Sequence, residues 1–234
     1  MTSLQTTENL AVVVGATGGI GSALLRRLEA LGTFGAVIGL GRRTAPSLDL
    51  ADESSVVECA KFVAGHGKPR LVLIATGLLH RDGIQPEKST RELNATAMAD
   101  MFSINAIGPA LVMKHFLPLL ARDGKAVLAA LSARVGSIGD NSLGGWYSYR
   151  ASKAALNQLV RTAAVEIRRS HRYAICVALH PGTVDTQLSA PFSKAGLEVQ
   201  QPDVAAERIL AVIDHLTVDD SGSFFDHHGK PVPW

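Results

Sequence analysis

The sequence is short of the features that mark specialised proteins. Only two cysteines, Cys59 and Cys176, occur in 234 residues. That is too few for a disulfide framework and points to a reducing compartment. Cys176 lies inside an apolar run and reads as a small buried hydrophobe. An excess of one charge is missing too. The 23 basic and 21 acidic residues leave a formal +2, without the basic stripe of a nucleic-acid binder. No apolar run reaches the ~18 residues of a spanning helix. The opening MTSLQTTENL has neither a basic nor an apolar stretch, so no secretory signal is expected. Linkers, internal repeats and low-complexity tracts are lacking as well. What remains, 47% hydrophobic and 19% charged, is the composition of a folded chain. The expectation is one domain over 1–234, cytoplasmic, binding neither nucleic acid nor membrane.

Short apolar runs alternate with stretches of helical period. The strand candidates are 10–14, 36–40, 71–76, 126–131, 173–179 and 221–226. Between them lie helix candidates at 20–31, 52–64, 92–121 (two segments), 148–169 and 203–216. Strands apolar on both faces and separated by helices predict a parallel sheet covered on two sides, an α/β doubly wound Rossmann fold. The irregular stretch 185–202 reads either as a lid over a substrate or as a surface connection. Segments 92–121 and 148–169 carry apolar residues on more than one face, more than contact with a sheet needs.

The first strand runs into Gly15-Ala16-Thr17-Gly18-Gly19-Ile20-Gly21 and then a helix. Glycines there permit a tight turn, a close approach of backbone to pyrophosphate, and close helix–strand packing. The helix start offers free N–H groups to the phosphate. No Gly-Lys-Ser/Thr follows, so this is not a Walker loop. The second strand ends in Gly41-Arg42-Arg43, where an NAD site would place a carboxylate. Two guanidiniums favour a 2′-phosphate, hence NADP(H). Further on, Tyr149 and Lys153 stand four residues apart on one helix face. An ammonium ~5 Å from a phenol, at an effective dielectric of ~20, is worth about 3 kcal/mol, or roughly two pKa units. The phenol then becomes useful for acid–base chemistry.

With these motifs in this order, the chain resembles the short-chain dehydrogenase/reductase family over essentially its whole length. VGATGGIG (14–21) is similar to the family's TGxxxGxG turn, and LDLAD (48–52) to the segment that puts Asp49 and Leu50 by the adenine. IATG (74–77), with Ala75, Thr76 and Gly77, stands where NNAG is usual. HPGTVDT (180–186) resembles the PGxxxT segment over the nicotinamide, with Pro181, Gly182, and Val184 and Thr186 at the carboxamide. Stretches 132–157 and 222–234 resemble the C-factor and sniffer-like carbonyl reductase branch. The resemblance implies NADP(H) held by Gly15, Thr17, Gly18, Gly19, Ile20 and Gly21, together with the arginines and segments above. It also implies a small carbonyl or alcohol substrate, a sheet of about seven strands, and a homodimer or homotetramer paired through the long helices. Tyr149 would donate the proton, Lys153 would hold the nicotinamide ribose, and Asn105 would position a water.

One departure concerns the serine that orients the carbonyl. Counting back from Gly136 puts Ala133 at its place, after Ser132. Ser132 is the first candidate for the role, and Ser137 or Ser142 are others. The missing serine also leaves open a dinucleotide-binding sensor with little turnover. A serine hydrolase is excluded, because Val135 stands two residues before Ser137 where G-x-S-x-G needs glycine. His180 is either a substrate contact or a packed strand-end residue, and Trp146 and Leu143 either pocket wall or core. Asp226-His227-His228 lacks a third ligand at a recognisable spacing and reads as a turn, so no metal is expected.

Overall fold

LAVVV and AVLAAL have no polar face to turn to water, so each becomes a strand only where both its sides are covered. The computed structural model describes residues 9–81, 85–189, 192 and 198–234. In chain order the main elements are β1 (Leu10–Val14), α1 (Gly19–Leu31), β2 (Ala36–Leu40), α2 (Glu53–His66), β3 (Pro69–Ile74), α3 (Ala95–Phe102), α4 (Gly108–Phe116), β4 (Ala126–Leu131), α5 (Tyr147–Ile167), β5 (Ala174–His180), β6 (Thr183–Val184), β7 (Val199–Gln200), α6 (Pro202–His215) and β8 (Phe224–Asp226).

Six strands form the main sheet in the order β2-β1-β3-β4-β5-β8, every pair parallel. Side chains alternate between two cores. Val12 and Val14 enter one with residues of α2, α4 and α5, and Ala11 and Val13 enter the other with residues of α1 and α6. This is the doubly wound arrangement expected. Its order reverses between β1 and β3, and a crevice at such a point, outside the carboxyl ends of the strands, is where ligands bind.

Among the described residues the main sheet has six strands, in keeping with the about seven expected. A parallel strand outside β2 would need a crossover of a dozen or more residues. Only Gly41–Ser47 separate β2 from the buried Leu48. One isolated parallel bridge, Gly41 to Ser47, lies just past the end of β2. Residues 190, 191 and 193–197 of the irregular stretch lie outside the described residues. Its two ends are joined by β6 pairing with β7, Thr183 opposite Val199 and Val184 opposite Gln200.

The helical region 95–119 is long and apolar enough to cross a membrane by length and composition. Counting unbroken apolar runs passes over it, because polar residues interrupt it. Here Val112, Met113 and Phe116 pack into the core beneath the sheet.

Candidate active site

At the end of β1 the chain turns at Gly15, whose φ of 87° lies in the left-handed region. The Gly15 and Ala16 amides both donate to Leu40 O, at 2.8 and 3.1 Å, tying the turn to the end of β2. A Cβ on Gly21 would collide with Gly15 O, and one on Gly19 would come 2.6 Å from Thr186 Cγ2. The glycine turn and the 180–186 segment therefore close on each other over the start of α1. That helix begins without a side-chain cap at Gly18 and without an acid in its first turn. Its N–H groups and dipole are open to an anion. Thr17 Oγ1 sits 3.4 Å from where a Cβ on Gly41 would lie, so Arg42 and Arg43 follow directly beside the turn. Both arginines are exposed and have no ion pair among the described residues. Thr76 Oγ1 is buried with no hydrogen-bond partner. Asp49 accepts from the Ala51 amide at 3.0 Å, and Leu50 packs against Gly108 at the start of α4.

The long helix α5 lays Tyr149, Ser152, Lys153, Leu156, Asn157 and Val160 along one buried face. Lys153 Nζ donates to Leu131 O at 2.9 Å and stands 6.0 Å from the Tyr149 ring centroid. Asn105 lies in a wide π turn, Ser103–Ile107, between α3 and α4. Such turns recur at functional sites because the extra residue re-aims a side chain. The Asn105 carboxamide accepts from Leu78 N and donates to Leu78 O, both at 2.7 Å, and its Nδ2 donates to Ser152 Oγ at 3.1 Å. A Cβ on Gly77 would lie 3.7 Å from Lys153 Nζ and 3.8 Å from Asn105 Oδ1. Glycine there leaves a small polar hollow between them.

From the sequence, the ammonium is expected to draw the phenol down. Burial prevails instead. It pushes the Tyr149 phenol well above its usual value and pulls Lys153 down to about 8. The phenol is therefore protonated at neutral pH, the form a proton donor needs. The lysine carries a stability cost. Its unfolded-state pKa of 10.5 exceeds its folded-state value of about 8, so the unfolded chain binds more protons between these pH values. Below pH ~8 the buried ammonium costs about 3 kcal/mol, and this cost fades as pH rises toward 10.5. Lys153→Met should therefore raise the melting temperature at pH 7 by about 6–12 °C. It should also remove the lysine's share of the gain in stability above pH 8. A lower melting temperature at pH 7 would contradict this.

The Ser132 hydroxyl, the first candidate for orienting the carbonyl, is engaged within the protein. It is buried and donates to Asn157 Oδ1 at 2.6 Å. Ala133 shares a small apolar cluster with Tyr149, Leu79 and Met101. Ser137 Oγ accepts from the Asp140 amide, and Ser142 is exposed. Trp146 stands edge-on to Tyr149 at 6.2 Å and to Phe192 at 5.2 Å. Leu143 is 91% exposed. His180 packs at the end of β5 against His227, its Nδ1 buried without a partner, and burial draws it down to about 4. Asp226 ends β8 buried rather than in a surface turn, which starts at His227; its Oδ1 accepts from His228 N and Lys230 N. Sequence reasoning missed Ser152 and Asn157, although both share the helical face of Tyr149 and Lys153.

Comparison with known proteins bears on the family and the fold. Over 137 residues the chain is 40% identical to C-signal of Myxococcus xanthus, covering 58% of this chain and 78% of that one. The NADPH-bound carbonyl reductase from chicken fatty liver superposes with a TM-score of 0.85 at 25% identity, over 97% of this chain and 94% of that one. The carbonyl reductase Sniffer of D. melanogaster superposes at 0.83 with 21% identity, over 97% and 99%, a likeness of fold. The family profile described as short chain dehydrogenase matches residues 9–196, and with four-fifths of its length so matched the chain belongs to the short chain dehydrogenase family of oxidoreductases.

Proposed function

We propose that the chain is an NADPH-dependent reductase of small carbonyl compounds, with Tyr149 as proton donor. The observation that carries this reading is the meeting of Lys153 Nζ and Asn105 Oδ1 at Gly77, on the helix face that bears Tyr149. The uncapped start of α1, the orphaned Thr76 hydroxyl and the hollow at Gly77 suit a dinucleotide. Residues 15–21 would hold its pyrophosphate, and Arg42 and Arg43 its 2′-phosphate. Asp49 and Leu50 would flank its adenine, with Ala75, Thr76 and Gly77 beside them. Pro181, Gly182, Val184 and Thr186 would border its nicotinamide. When bound, the cofactor supplies hydride. The neutral Tyr149 phenol would donate its proton to the carbonyl oxygen, and Lys153 would hold the ribose. Asn105 fixes Leu78 and keeps Ser152 in place. The test is NADPH consumption, followed by absorbance, across a panel of aldehydes, ketones and quinones.

A second reading has a specific observation behind it. Ala133 beside Tyr149 removes the usual second donor to the substrate oxygen, and C-signal is a relative. Tight NADPH binding with no consumption across the panel would favour a sensor.

Exposed Ile107 and Val165, on the α4 and α5 side, support pairing of these helices between copies. Light scattering at micromolar concentration should give a dimer or tetramer. A monodisperse monomer would reject the pairing.

A further inference from the structure

We propose that Glu87 is a positioning residue for this site, capping the first turn of α5 from outside the helix and so setting where Tyr149 and Trp146 stand. The inference rests on the reading of Tyr149 as proton donor.

Helix α5 starts in an unusual way. Its N-cap residue, Trp146, has φ 52° and ψ 44° and makes no side-chain cap hydrogen bond. A residue with a bulky side chain holds left-handed backbone only where its surroundings fix it. Glu87 supplies the fixing from a segment far away in sequence. Its main-chain oxygen accepts from the Trp146 amide. Its Oε2 accepts from the Ser148 amide at 3.2 Å, and its Oε1 accepts from the Ser148 hydroxyl. The carboxylate thus takes the orphan N–H that an N-cap side chain would serve, and puts negative charge at the positive end of a long helix. Glu87 and Ser148 are both buried.

From the other side, Arg150 holds the approach to the helix. Its Nε donates to Gly145 O at 2.9 Å, Nη2 to Gly144 O at 3.0 Å and Nη1 to Val135 O at 3.2 Å. The next residue after Ser148 is Tyr149, and the Trp146 ring lies edge-on to it. Further along, α5 is anchored by buried Leu156, Val160, Ala164 and Ile167. Losing the Glu87 contacts would therefore release the first turn, with Trp146 and Tyr149, while the rest of the helix stays in place.

The test uses the full chain carrying Trp234→Phe, which leaves Trp146 as the sole tryptophan. Glu87→Ala and Glu87→Gln are compared with the parent in three readouts. These are kcat and KM per folded molecule on a reactive carbonyl from the panel, the Kd for NADPH, and acrylamide quenching of Trp146 emission without cofactor. In Glu87→Ala, kcat should fall ~10–100-fold, the scale of a misplacement of about 1 Å. NADPH affinity should stay within about twofold, and Trp146 should become markedly easier to quench. Glu87→Gln should recover much of both, since its amide oxygen still accepts from Ser148 N. If Glu87→Ala lowers only the melting temperature, with kcat and quenching unchanged, Glu87 is a structural residue and the proposal is overturned. Should Glu87→Ala not fold, Glu87→Asp withdraws the carboxylate by one methylene and carries the same comparison. If the parent consumes no NADPH on any carbonyl, the reductase reading fails. Quenching then decides alone whether Glu87 holds Trp146: increased access upholds that, and unchanged access overturns it.

Discussion

Tyr149→Phe is expected to lower carbonyl turnover by ~10²–10⁴, the usual worth of a general acid, while leaving NADPH affinity nearly unchanged. As the carbonyl carbon accepts hydride, its oxygen gains charge that a proton must neutralise. The phenol is buried and held protonated at neutral pH, so it is supplied in the donor form. Among the described residues, the serines named for orienting the carbonyl are otherwise engaged or exposed. Ser132 donates to Asn157, and the neighbour of Tyr149 at the strand end is Ala133. The ring and Lys153 remain in the variant, which is why binding should survive. Ala133→Ser, by adding a hydrogen bond to the same oxygen, should raise turnover. If Tyr149→Phe kept most of its activity, the proposed mechanism would fall whatever the fold.

The second large effect concerns cofactor choice. Replacing both Arg42 and Arg43 with Asp should weaken NADPH binding by ~10²–10³-fold and leave NADH binding unchanged or improved. Each charge-assisted hydrogen bond to a phosphate is worth about 1.5–3 kcal/mol, and two acids would add repulsion. Both arginines are exposed beside the glycine turn, so the substitutions disturb no core. Fluorescence titration of both nucleotides decides the matter. Wild-type protein that bound NADH at least as tightly as NADPH would contradict the assignment.

Much of the fold is legible because its signals are local in sequence. The six apolar runs became the six strands of the main sheet, with ends displaced by a few residues. The glycine turn and the Tyr149–Lys153 pair are likewise matters of spacing along the chain. What escaped reading depends on contacts between distant segments or on where a side chain turns. Strands β6 and β7 are two residues each, too short to show any period. Ser132 stands at a strand end, and only the packed structure shows its hydroxyl directed to Asn157. Glu87 lies 61 residues from Ser148, and no pattern in the chain joins them. Ser152 and Asn157 were within reach, since a polar pair on the buried face of a helix is itself a signal.

The single Gly41–Ser47 bridge also leaves β2 as the outermost strand, unpaired on its outer side among the described residues. A bare strand edge is a template on which a second polypeptide can add, the route by which sheets grow into aggregates. Here the edge is only five residues long and is stopped by the Thr44 hydroxyl, which accepts from the Gly41 amide and donates to Pro46 O. Directly beyond stand Arg42 and Arg43, like charges that repel another copy approaching in register. The pair proposed for the 2′-phosphate would therefore guard the sheet as well, and exchanging it should alter colloidal behaviour together with cofactor choice.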